Sequence, residues 1–83
     1  MHMDRAIFEL NASVEATSLY ILICALMDQG ESPTLNRAIV QWHGTMETLA
    51  TAAEELVRRG VLEGPSPISE EQPVRVNPKD KWH

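Results

Sequence analysis

The stretch from Thr45 to Glu63 constrains this chain more than any other part of it. Met46, Leu49, Ala53, Leu56 and Val57 recur at three- and four-residue intervals, so a helix there gathers them on one face. The opposite face then carries Glu47, Thr48, Thr51, Glu54, Glu55 and Arg58. Thr45 is placed to accept a hydrogen bond from one of the unpaired N–H groups at the helix start. Gly60 can adopt the left-handed turn that stops the helix, and Val61-Leu62 then reads as a short apolar strand. The spacing therefore predicts a capped helix over 45–59, a glycine stop and a strand.

At 83 residues the chain is long enough for one core with modest stability and little spare volume for a buried active site. Seven basic side chains stand against twelve acidic ones, a net charge of -5, which is the wrong sign for a protein that holds nucleic acid by neutralising phosphates. The balance is uneven, because Arg58, Arg59, Arg75, Lys79 and Lys81 all fall in the C-terminal third. Cys24 is the single cysteine, so no disulfide can form within the chain. It lies in the apolar run from Leu19 to Met27, which is far shorter than the roughly 20 residues a membrane helix needs. The N-terminal residues lack the basic flank and cleavage site of a signal peptide, and the expectation is a reduced, cytoplasmic protein that does not enter a membrane.

From Asp4 to Gln29 nearly every residue is a fair helix former, and no proline or glycine intervenes before Gly30. Asn11 and Ser13 are capable caps, so the main first helix is expected to begin near Val14. Residues 1–12 then form an N-terminal helical extension whose Ile7, Phe8 and Leu10 need a surface to pack on, either this core or a second subunit. After the Gly30 to Thr34 connection, Leu35, Ala38, Ile39 and Trp42 give the stripe of a shorter second helix. Trp42 is read as a core ring whose indole N–H requires a partner. Gly64-Pro65-Ser66-Pro67 ends the first strand, and Val74-Arg75-Val76 between prolines is the returning one. One domain spans 13–78, and the tail 79–83 is expected to fray unless Trp82 docks.

The order helix, Ser-Pro-Thr connection, helix, Gly-Thr turn, helix, Gly-Val-Leu strand, loop and strand resembles the winged helix-turn-helix superfamily between Val14 and Asn77. The run Glu54-Glu55-Leu56-Val57-Arg58-Arg59-Gly60-Val61-Leu62-Glu63 carries most of that resemblance. It implies a mainly α fold, a three-helix core plus a two-stranded antiparallel wing over 64–77. In function it implies a third helix in the DNA major groove with the wing against the backbone.

The residues on those two elements depart from that scheme. The outer face of the third helix presents Glu47, Glu54 and Glu55 against Arg58 and Arg59, and the arginines lie at its C-terminal end. Base contacts come mainly from the N-terminal part of such a helix, where this chain offers Thr45, Glu47, Thr48 and Thr51 and no Arg, Asn or Gln for bidentate readout. Glu70 and Glu71 occupy the expected wing tip. On a solvated helix face the pairs Glu54–Arg58 and Glu55–Arg59 would each contribute about 0.2–0.5 kcal/mol.

His2, His43 and His83 make no metal-ligand spacing with Cys24, and no nucleophile–base motif or glycine-rich phosphate loop occurs. Neither an enzyme nor a cofactor or metal protein is expected. Two functions remain. One is a protein-interaction or self-association module, a homo-oligomer using Ile7, Phe8, Leu10, Glu47, Glu54 and Glu55. The other is a dimeric DNA-binding regulator using Thr45, Thr48, Thr51, Arg58, Arg59, Arg75, Lys79 and Lys81. Charge favours the first.

Overall fold

The computed structural model describes residues 3–64 and 71–83, and its framework is two helices packed across each other with a third, short helix between them. Helix α1 spans Val14–Asp28, α2 Leu35–Ala38 and α3 Met46–Arg58. Strands β1, Leu62–Glu63, and β2, Arg75–Val76, pair antiparallel with Leu62 opposite Val76 and Glu63 opposite Arg75. The expected three-helix core and returning strand are both present. Of the expected wing tip, Glu70 lies outside the described residues, and Glu71 is exposed.

Both long helices start and stop on local chemistry. Ser13 caps α1 by accepting from Ala16 N, and Thr45 caps α3 by accepting from Thr48 N while Thr48 accepts in return from Thr45 N. At the C-terminal ends Gly30 and Gly60 take φ of +77° and +76°. Around them the paired bonds Gly30 N to Met27 O with Glu31 N to Leu26 O, and Gly60 N to Val57 O with Val61 N to Leu56 O, satisfy the last carbonyls.

The core is Ile7 from the N-terminal segment, Leu19, Tyr20, Ile23, Cys24 and Leu26 from α1, Leu35 and Ala38 from α2, and Leu49, Ala52, Ala53 and Leu56 from α3. Val61, Leu62 and Val74 close it from the hairpin side. Leu49, Ala53 and Leu56 are buried as their spacing predicts; Met46 and Val57 flank them half-buried, and Thr51 is exposed.

The second helix departs from the expected stripe. Its α-helical part stops at Ala38, a 3₁₀ turn covers Ile39–Gln41, and Trp42 is already extended at ψ 135°. Ile39 and Val40 are β-branched and weaken helix continuation. Trp42 is also drawn aside by the bond its indole N–H makes to Thr48 Oγ1 at 3.0 Å.

Of the two placements open to the N-terminal extension, the structure takes the first. Arg5–Glu9 forms a 3₁₀ turn that folds back, Asp4 N donates to Tyr20 Oη at 2.8 Å, and Asn11 turns the chain into α1 at φ +61°. The tail docks too: Trp82 meets the Tyr20 ring edge-to-face at 5.5 Å and donates to Asn77 O, while His83 N donates to Arg59 O.

Candidate interaction surface

The threonines on the outward side of α3, where a reading helix would present its donors and acceptors, are already engaged within the chain. Thr48 Oγ1 accepts from Trp42 Nε1 and from Thr45 N and donates to Thr45 O at 2.9 Å. A hydroxyl has one donor and two acceptor positions, so Thr48 is saturated. Thr51 donates to Glu47 O, and Thr45 Oγ1 accepts the cap bond from Thr48 N.

Glu55 and Arg59 act as struts between elements. The Glu55 carboxylate accepts from Ser13 N at 2.8 Å and from Ser13 Oγ at 2.7 Å, tying the start of α1 to the middle of α3. Those two donations, the backbone one first, hold its carboxyl below the usual range. Arg59 donates through Nη2 to Leu10 O and through Nε to the backbone oxygen of His83, so one guanidinium fastens both terminal segments. Among the described residues no ion pair joins Glu55 to Arg59 or Glu54 to Arg58; the ion pairs present include Arg37–Glu31 and Arg75–Glu63. Local spacing could not reveal Ser13 as the partner of Glu55, because the two lie 42 positions apart.

The other site residues are scattered. Glu47, Glu54, Arg58, Arg75, Lys79 and Lys81 are exposed. The Lys79–Lys81 turn lies against Gly60 at the C-terminal end of α3, so Lys81 and Arg58 share one end of the molecule. Arg75 sits across the hairpin from Glu63 at 3.9 Å, which offsets its charge. In the N-terminal segment the apolar stripe is broken up: Ile7 has no exposed surface, Leu10 is half-buried on the core, and Phe8 alone stays outside at 58% exposure.

The surface that sequence spacing could have shown, and did not, is on α1. This helix is apolar on two sides. Opposite the face that packs on α3 stand Val14, Ser18, Ile21 and Ala25, with Val14 78% and Ile21 38% exposed. Together with Leu22 and the Gln41–Trp42–His43 turn, they line an open cleft of about 430 Å³ whose walls are mainly apolar. Glu15 is the one carboxylate on its rim. The signal was in the sequence: positions 14, 18, 21 and 25 follow the 4-3-4 spacing of a helix–helix seam.

Burial pushes the Cys24 thiol up, away from the reactive thiolate, and the Tyr20 hydroxyl up to about 12. Among the described residues no group of three His, Cys, Asp or Glu side chains is placed to hold a metal, and no helix is long and apolar enough to cross a membrane. No family model, curated protein or solved structure matches the chain.

Proposed function

We propose that this chain is a non-catalytic, cytoplasmic interaction module of the winged-helix type, regulatory through docking rather than through reading DNA. The observation that carries this is the outer face of α1, an apolar seam with Val14 and Ile21 exposed beside a cleft of about 430 Å³. Its occupant is a protein partner that presents a matching apolar helix face, the helix-in-groove mode. Support comes also from α3, whose Thr48, Glu55 and Arg59 are occupied in holding the fold.

Exposed Arg58, Arg75, Lys79 and Lys81 favour a second reading, a DNA-binding regulator gripping phosphates from that end of the molecule. A salt-dependent titration with random duplex DNA separates the two. Binding at physiological salt is expected to be weaker than the 10⁻⁴–10⁻⁶ M typical of non-specific DNA-binding proteins, because the chain carries a net charge of -5. Micromolar binding that weakens with salt and with Arg58→Ala or Arg75→Ala would replace the interaction module with the regulator.

A further inference from the structure

We infer that the partner of the α1 seam is a second copy of this chain, docked with its own α1 antiparallel across a two-fold axis. This rests on the interaction-module reading and names its occupant.

Along the exposed side of α1, bulky and small residues alternate: Val14, Ser18, Ile21, Ala25. A two-fold axis midway between Ser18 and Ile21 brings Val14 of one copy against Ala25 of the other, and Ser18 against Ile21. Every bulky side chain then meets a small one, and each contact occurs twice, as an isologous interface requires.

Charge selects the antiparallel direction. In a parallel pair Asp28, three residues beyond Ala25 on the same stripe, would lie beside Asp28 of the second copy. With the helices reversed, Asp28 falls at the level of Asn11, and the flank that carries Glu15 faces the flank of the second copy that carries Leu22. The four seam positions carry no charge, so two copies of a chain with net charge -5 can meet there without joining carboxylates. Reversal also sets the two helix dipoles head to tail.

Area sets the strength. Fifteen residues make a helix about 22 Å long, and a face about 10–12 Å wide offers roughly 220–260 Å². Even with the Gln41–His43 turn added, that falls below the roughly 800 Å² per partner of a stable complex. The dimer is therefore weak, of the small-area transient class.

Sedimentation velocity of the full chain from roughly ten micromolar to one millimolar tests this. The native chain should pass from monomer to dimer across that range. Ile21→Glu should raise the dissociation constant at least tenfold with an unchanged far-UV spectrum, and Phe8→Ser should leave it unaltered. Should Ile21→Glu fail to fold, Ser18→Arg takes its place. Register is tested by mild oxidation of an equal mixture of Ser18→Cys and Ile21→Cys chains, where the share of mixed disulfide should clearly exceed the share that random pairing gives; buried Cys24 is common to both. A monomer at one millimolar, a dimer lost with Phe8→Ser but kept with Ile21→Glu, or a mixed disulfide no more abundant than random pairing gives would overturn the pairing. A monomer that ignores duplex DNA defeats the pairing and leaves the interaction module standing. An α1-dependent dimer that grips random duplex at micromolar concentration does the reverse.

Discussion

Single side chains in this small domain hold elements that local sequence does not connect. Glu55 is the clearest case: as a carboxylate it accepts both bonds from Ser13, and protonation removes that capacity. Its folded pKa lies below the ordinary 4.5, so its contribution is fully present above that value and is lost as pH falls through the lower folded one. Thermal melts of the native chain and of Glu55→Gln should therefore differ most near neutral pH and converge only in acid, as pH falls through the lowered folded value. A gap that stays constant down to strong acid would mean that the Ser13 clamp does not act through charge. Gly60 is fixed by a different constraint, since its φ of +76° and the nearby Lys81 carbonyl leave no room for a Cβ.

At the scale of elements, α3 was legible because its signals are local. The Thr45 cap, the three- and four-residue spacing and the Gly60 stop all lie within one stretch, and each is where the sequence places it. Leu49→Ala and Leu56→Ala should each cost about 2–5 kcal/mol, because both side chains are fully buried. Thr51→Ala should change stability by less than about 0.5 kcal/mol, since the side chain is exposed and its bond to Glu47 O is within the helix. Urea unfolding of the three variants ranks them, and Thr51 falling with the leucines would place the core on the other side of the helix. Elements whose shape depends on distant partners were less legible. The second helix ends early where Trp42 turns toward Thr48, and the 5–9 turn settles on Tyr20 and Arg59, neither of which any spacing within it could indicate. The first helix misled in the opposite way. Its uniform apolarity reads as burial, yet α3 covers one side only and leaves Val14 and Ile21 outside.

For the whole molecule, charge and hydrogen bonding point the same way. Arg59 joins the N-terminal segment, α3 and the tail, and Trp82 seals the far side against Tyr20, so the terminal segments belong to the packed structure. The exposed apolar side chains include Val14 and Ile21 on the α1 seam and, outside it, Phe8 and Val40, whereas the exposed charge is of both signs and spread over several elements. On the proposed function, α1 and not α3 is the working surface. Amide chemical-shift mapping of the ¹⁵N-labelled chain against random duplex DNA at physiological salt tests it most directly. Thr45 to Thr51, Arg58 and Arg75 should show no saturable shift at micromolar DNA. Saturable shifts centred on Thr45, Thr48 and Thr51, spreading to Arg58 and Arg75, would contradict it and make α3 a reading helix.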